Sequence, residues 1–313
     1  MSSMRTWTRV SNTSDRPAEA PLPAEGQGAL PPARPRRRLR RYPVAAAALV
    51  ALAAVVLVAA GADWVAPYPP LKQEIAGRLA PPSWLPGGRA GHLFGTDQLG
   101  RDILSRVIFG ARISLTVAVL AVGLAASVGI VLGVVSGYYG GWADRVLARL
   151  ADIQLAFPTM LLVITLIAMV GPSLVNLIAA LGIGGWASYF RMARAQVLTL
   201  RETEYVLAAR CVGVPDLAIA FRHVLPNALS PLIVLASFSM AQVIILESAL
   251  SFLGLGVQPP TPTWGGMLSD SRDYLSLAWW LAAFPGAALT VTVLAINVLG
   301  DWLRDMLDPR LVV

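Results

Sequence analysis

The residue types that most enzymes use for chemistry are few in this 313-residue chain, and they lie far apart. A Walker A loop cradles ATP phosphates through the pattern G-x-x-x-x-G-K-[ST], but the only lysine is Lys72, within L-K-Q-E. His92, His223 and Cys211 are the only histidines and the only cysteine, and they form no cluster at metal-ligand spacing. We therefore predict no P-loop ATP hydrolysis, no metal site and no intramolecular disulfide.

Two carboxylates, Glu247 and Asp152, lie in apolar segments where an intramembrane protease would need them. A charge at membrane depth costs roughly 3 kcal/mol on insertion scales, so such a residue normally faces protein or water. Neither lies in a recognisable catalytic pattern, and we predict no catalytic residue. For Glu247, three roles stay open: the lining of a translocation pathway, a hydrogen bond to a neighbouring helix, and proton-coupled transport. Trp264 is a second candidate for a substrate-facing position.

The composition is that of a membrane protein. Hydrophobic residues make up 56% of the chain and charged residues 14%, against about 25% charged residues in typical soluble domains. Crossing a bilayer takes about 20 apolar residues, and the charge-free runs predict six transmembrane helices. They lie at 44–62, within 113–138, from near 147, from near 174, at 229–253 and at 277–300, with the third and fourth packed as a hairpin.

A polar insert at 196–227 separates the fourth and fifth predicted spans. Pro215 suits a first helical position and Asp216 complements the helix dipole, so a short helix should begin there. Pro226 should end it and push Leu225 out of the α region, while Gly213 should supply a bend before it. Three apolar residues fall on one stripe of this helix: Leu217, Phe221 and Val224. A direct turn would join two spans with fewer backbone groups to satisfy, so we expect the insert to dock a soluble partner.

The same insert resembles the EAA loop of permease subunits in bacterial ATP-binding-cassette (ABC) importers. The resemblance is carried by Ala208-Ala209, Gly213 and Leu225-Pro226. Leu207 stands where the family has Glu and His223 where Ile is usual, although the dipeptide and oligopeptide branch resembles this chain at both places. The coupling positions that the resemblance implies are Glu204, Ala208, Ala209, Gly213, Asp216, Leu217, Phe221, Val224, Leu225 and Pro226.

Further motifs are similar to those of the peptide-importer branch, and the likeness extends from about residue 92 to 310. They are G-T-D-Q-L-G-R-D at 95–102, S-R at 105–106, G-A-R-I-S-L at 110–115, S-F-L-G-L-G at 251–256, Q-P-P-T-P at 258–262, W-G at 264–265, and L-G-D, L-R-D and L-D-P-R between 299 and 310. The resemblance implies an all-α membrane protein with six transmembrane helices, a type I ABC importer permease-like fold and a cytoplasmic coupling helix.

The resemblance also implies the assembly. Two homologous permeases would form the pore, two ATPase subunits would dock from the cytoplasm, and an extracytoplasmic solute-binding protein would deliver a di- or oligopeptide. This chain would be a non-catalytic subunit that binds no cofactor, with ATP and Mg used by its partners. Related permeases carry the same motifs, so nickel, glutathione or another small solute stays open. A secondary transporter is the remaining alternative, although we find no convincing inverted repeat.

Arginine placement predicts the orientation, because positively charged flanks stay cytoplasmic. Arginines are dense before the first span and around the insert, so both termini and the insert should be cytoplasmic in a bacterial inner membrane. We favour an uncleaved first span over a signal peptide, and lipid over nucleic acid as the partner of the arginines before it. The predicted segments are a disordered basic tail (1–42), a first span (43–66), an extracytoplasmic segment (67–112), a permease core (113–303) and a C-terminal tail (304–313).

Overall fold

The computed structural model describes residues 42–307, which are mainly helical. Apart from its last residue, the predicted N-terminal tail lies outside this range, as do residues 308–313 of the predicted C-terminal tail. The only β-type pairing within the range is an isolated bridge between Thr96 and Asp102. The α-helices are α1 (Tyr42–Ala60), α2 (Ala62–Val65), α3 (Ile103–Tyr139), α4 (Gly141–Ala156), α5 (Thr159–Val170), α6 (Leu174–Leu200), α7 (Glu204–Cys211), α8 (Asp216–Ala218), α9 (Leu225–Phe252), α10 (Trp264–Asp270) and α11 (Trp280–Leu307).

Four helical segments of the described range are long and apolar enough to cross a membrane: α1, α3, the continuous stretch Asp216–Phe252, and α11. A fifth crossing results if α4 and α5 are counted as one span, although the two helices are bent by 94°. The more polar α6 has 27 residues, about 40 Å of helix.

The third predicted span is not the straight helix that the sequence indicated. Phe157 has extended backbone angles, with φ −92° and ψ 138°, and Pro158 follows it immediately before α5. A proline disfavours the α conformation in the residue before it, so α4 ends here and α5 leaves in a new direction. The predicted hairpin therefore consists of α5 and α6, joined through Gly171, while α4 also contacts α6.

The most extensive helix contact, between α3 and α6, is made possible by glycines four residues apart on α3. A methyl group at Gly133 would lie 2.6 Å from the carbonyl oxygen of Phe190, and one at Gly137 would lie 3.0 Å from that of Arg194. Small residues at this spacing let helix backbones approach closely. In the structure these glycines of α3 pack against α6.

Candidate functional site

The polar insert folds as two helical pieces separated by a left-handed turn. α7 follows Thr203, and Gly213 then adopts a φ of 85° in open space. Such a backbone angle favours glycine, and it occurs where the sequence predicted a bend. Pro215 precedes α8, whose first residue is Asp216. The insert therefore presents a helix–turn–helix at the junction of α6 and α9.

The predicted helix break at Pro226 is wrong. Leu225 has α-helical angles, φ −56° and ψ −45°, and a π-helical turn, Ile219–Val224, leads directly into α9. Pro226 lies in the first turn of α9, where a missing N–H is tolerated, and the wider π-turn accommodates the junction. As a result, Asp216–Phe252 is one continuous helical stretch of 37 residues.

One side of the insert is buried against the ends of α3 and α6. Four residues of the insert have no accessible surface: Val206, Ile219, Ala220 and Val224. They pack on Val134, Tyr138 and Val197. The predicted stripe is consequently divided, since Leu217 is exposed, Phe221 is half-buried and Val224 lies in the core. We correct the assignment of Val224 accordingly: it supports the insert from beneath rather than facing a partner.

The other side of the insert carries exposed apolar residues among polar ones. The exposed fractions are 83% for Val212, 59% for Leu217, 44% for Leu207 and 42% for Tyr205. Of the other predicted coupling residues, some are exposed and some half-buried. The exposed ones are Glu204, Ala208, Gly213, Asp216 and Pro226, and the half-buried ones are Ala209 and Leu225. We call Tyr205, Leu207, Val212 and Leu217 the insert patch; an exposed apolar patch with a polar rim is typical of a protein-binding surface.

Polar contacts fix the insert to the last turn of α3. The Tyr138 hydroxyl donates to the Asp216 carboxylate at 2.8 Å, and the Arg210 guanidinium lies 5.2 Å from the centre of the Tyr138 ring. Arg201 donates to the carbonyl oxygen of Gly137 at 3.1 Å. Both halves of the insert are thus tied to the same end of one helix, α3.

A forked ion pair joins α4 to α6 near the same end. The Arg194 Nε and Nη2 atoms donate to the two Asp144 carboxylate oxygens at 2.5 and 2.7 Å, and the Ser136 hydroxyl of α3 donates to the same carboxylate at 2.5 Å. Two-point pairing of this kind fixes orientation as well as distance. The sequence did not predict this pair, although an arginine close to an apolar span could have indicated a partner.

The two residues predicted for the translocation pathway are both enclosed in this conformation. Glu247 is fully buried and accepts hydrogen bonds from the hydroxyls of Ser251, at 2.8 Å, and Ser114 on α3, at 3.1 Å. Trp264 is 1% exposed and donates from Nε1 to the carbonyl oxygen of Val107 at 3.0 Å. These contacts agree with the hydrogen-bonding alternative for Glu247, and neither side chain reaches an open cavity.

A charged core lies at the opposite end of α3. Asp97 pairs with Arg101 at 2.6 Å and also with Arg106, and all three side chains are less than a tenth exposed. Asp270 lies 3.4 Å from Arg106 and 3.6 Å from Arg101. Asp102 caps α3 by accepting from the Ser105 amide at 2.8 Å. The motif at 95–102 did not predict a charged core, because the contact of Arg106 with Asp270 spans more than 160 residues.

Within residues 42–307, no three His, Cys, Asp or Glu side chains converge as a metal site would require. The candidate site consists of helix contacts and exposed surfaces. Its two polar centres lie at the two ends of α3, and the end with the insert presents the exposed apolar patch.

Comparison with known proteins places this chain in a family. Residues 129–313 match the model of the binding-protein-dependent transport system inner membrane component, and residues 34–82 match the N-terminal TM domain of oligopeptide transport permease C. The di/tripeptide transport system permease protein DppC of Pseudomonas aeruginosa is 48% identical over 82% of this chain and 85% of its own length. The dipeptide transport system permease protein DppC of Escherichia coli K12 is 46% identical over 87% and 91%.

A solved structure shares the fold. The inward-facing MetNI methionine ABC transporter contains a chain that superposes with a TM-score of 0.52 at 18% sequence identity, covering 65% of this chain and 96% of that one. At this identity the match concerns the helical architecture alone.

Proposed function

Because the chain belongs to the family of binding-protein-dependent transport system inner membrane components, we propose that it is a permease subunit of an ATP-driven importer and forms part of a translocation pathway for di- and oligopeptides. The choice of solute follows the relatives, whose names specify dipeptides and di/tripeptides. The chain is a multi-pass inner-membrane protein. Its proposed partners are a second homologous permease, two ATPase subunits and an extracytoplasmic solute-binding protein.

The observation that carries the proposal is the continuity of the insert with a spanning helix. The exposed Leu217 of the insert patch lies at the start of the 37-residue stretch Asp216–Phe252. A partner bound to the patch would move this stretch as a rigid body, because no loop intervenes. The buried side of the insert supports the same role, since Ile219 and Val224 fix it to the core.

We further propose six crossings, with the insert and both termini in the cytoplasm. Helix α6 is the additional span, because about 40 Å of helix is enough to cross roughly 30 Å of hydrocarbon. The bent pair α4 and α5 is the third span, interrupted at Pro158. The arginines before α1 and around the insert support this orientation. ATP and Mg would be held by the ATPase subunits that dock on the cytoplasmic insert.

In the proposed mechanism, closure of the ATPase pair on ATP displaces the insert, and the spans change between outward-facing and inward-facing arrangements. Gly213 allows α7 and α8 to meet at the required angle. Replacing Gly213 with leucine should abolish uptake while the chain still inserts, because a φ of 85° is unfavourable for a branched side chain. Unchanged uptake by this variant would contradict the role of the turn.

The proposal is tested by purification of the chain from its native membranes in mild detergent, with mass spectrometry of the proteins recovered. We expect a second permease and an ATPase, and we expect Leu217→Glu to lose the ATPase while keeping the second permease. Ile75→Glu is the matched control: Ile75 is 70% exposed and lies outside the helical core, beyond the other end of α3.

Uptake of a labelled dipeptide into membrane vesicles, with and without ATP, completes the test. ATP-dependent uptake that Leu217→Glu removes and Ile75→Glu preserves would support the importer. ATP-independent uptake by the chain recovered alone would instead indicate a secondary transporter.

A further inference from the structure

Two cavities lie along one face of α9. The larger, of about 650 Å³, is lined by Pro231, Val234 and Phe238 of α9 together with residues of α6 and α11. The smaller, of about 500 Å³, is lined by Ile245, Ala249 and Phe252 of α9 together with residues of α5, α10, α11 and the segment after α10. The first cavity thus follows the first half of α9, and the second follows its last two turns.

The spacing of these residues places both cavities on the same strip of the helix. With about 100° of rotation per residue, the ten α9 residues that line the two cavities fall within roughly 140° of arc. Gln242 falls on the same strip, four residues after Phe238 and three before Ile245. It therefore lies between the two cavities, near the middle of α9.

Gln242 is exposed, and its amide forms no hydrogen bond within the part of the chain that the structure describes. Exposed hydroxyls on the other helices are satisfied locally: Ser127 donates to the carbonyl oxygen of Gly123 at 2.7 Å, and Thr290 donates to that of Gly286 at 2.8 Å. A side-chain amide surrounded by lipid would lose its water hydrogen bonds without compensation. The strip around Gln242 must therefore meet water or a polar partner.

We propose that this strip of α9 lines the translocation pathway and that the Gln242 amide binds the backbone of the peptide in transit. The inference rests on the proposed function and adds a substrate-contacting residue to it. A primary amide donates and accepts hydrogen bonds at once, as a peptide bond does. The only charged residue of α9 is the fully buried Glu247, so α9 itself presents no fixed charge on the strip, while Arg304 and Arg272 of neighbouring segments line the two cavities. A neutral amide among apolar residues suits peptides that differ in their side chains.

A helix of the second permease is the other occupant that could cover the strip, and solvent access distinguishes the two. The complex with its partner subunits is prepared with Gln242→Cys and treated with a small water-soluble methanethiosulfonate, with and without ATP plus vanadate. Mass spectrometry of the labelled peptides separates this site from the native Cys211. Ile75→Cys is the positive control, because Ile75 is exposed and lies outside the helical core.

Leu294→Cys is the matched negative control, because Leu294 is 58% exposed near the middle of α11 and lies on neither cavity. We expect labelling at position 242 in at least one nucleotide state, slowed by excess dipeptide, and none at position 294. Labelling at 242 no faster than at 294 in both states would overturn the proposal and assign the strip to lipid or to the second permease.

A functional readout uses Gln242→Leu, whose side chain is one atom shorter and forms no hydrogen bonds. Maximal dipeptide uptake should fall about tenfold, as expected for the loss of one well-formed hydrogen bond in the pathway, and Gln242→Asn should retain more activity than Gln242→Leu. Wild-type uptake by the leucine variant would overturn this inference. If the wild-type complex still assembled and imported peptide with ATP, the proposed function would stand without it.

Discussion

The Tyr138 hydroxyl hydrogen-bonds the Asp216 carboxylate at 2.8 Å, and so joins the last turn of α3 to the first turn of the helical stretch that becomes α9. The two residues are 78 positions apart in the chain. In the proposed mechanism, movement of the insert would thereby reach two spanning helices at once. Because α3 packs along α6, the same movement would also reach α6, a third helix.

Removing this hydrogen bond should weaken the coupling between ATP hydrolysis and transport. In Tyr138→Phe the ring still packs in the core below the insert, but Asp216 loses its donor. We expect dipeptide uptake to fall several-fold while the ATPase activity of the complex changes little, measured on the same vesicles. Tyr139→Phe is the matched control, because Tyr139 is 53% exposed and should tolerate the change. Equal effects of the two variants would contradict a specific role for Tyr138.

The close approach of α3 and α6 should make Gly133 sensitive to a single added methyl group. Its β-carbon would lie 2.6 Å from the Phe190 carbonyl oxygen and 2.8 Å from the β-carbon of Ala193. Overpacking of this kind typically costs about 1–3 kcal/mol, so Gly133→Ala should lower the unfolding temperature of the detergent-purified protein. Gly123→Ala adds the same methyl group to the same helix with no atom within 4 Å and should not lower it.

The fork between Arg194 and Asp144 should require a guanidinium rather than any cation. A lysine at position 194 keeps the charge but forms one of the two hydrogen bonds. The pair is partly screened, with 31% of the Arg194 side chain exposed, so we expect a loss of about 1 kcal/mol in the free energy of unfolding. Arg145→Lys, at an exposed position with a single 3.4 Å contact, serves as control. A loss at position 145 as large as that at 194 would argue against the fork.

The charged core around Asp97 should depend on that carboxylate. Asp97→Asn would leave Arg101 and Arg106 with only the more distant Asp270, and removing one partner of a buried ion pair typically costs about 3–5 kcal/mol. We expect greatly reduced accumulation in the membrane, measured by immunoblotting. Glu74→Gln breaks an exposed pair with Arg89 and should cost less than about 1 kcal/mol. Normal amounts of the Asp97→Asn protein would show that the core tolerates the unpaired arginines.

Prolines illustrate how far the sequence could predict the fold. The sequence predicted the polar insert and the bend at Gly213, because a glycine between two predicted helices typically forms the turn that joins them. It did not predict the break at Pro158 or the continuity through Pro226. Both are X-Pro sites, and whether a proline ends a helix depends on whether the backbone around it finds other hydrogen bonds. At Pro226 the π-helical turn preserves the helix, and such a turn has no clear local signature.

The candidate site shows the same division. The exposure of Leu217 and Val212 could be predicted from the sequence, because both are apolar residues within a polar insert. Burial of Val224 depends on the rotation that the π-turn adds and on the presence of Val134 and Val197 below it. These are contacts between distant segments, and periodicity within one short helix cannot reveal them.

In the proposed mechanism, the continuous stretch Asp216–Phe252 would act as a lever arm. Its 37 residues correspond to about 55 Å of helix, so a tilt of roughly 5° about one end would carry the other end through about 5 Å. The helix ends at Phe252. Two residues later, Gly254 has a φ of 80°, which turns the chain away from the helix axis. In the proposed mechanism, a small tilt of the helix would thus produce a displacement set by helix length rather than by the strength of any single contact.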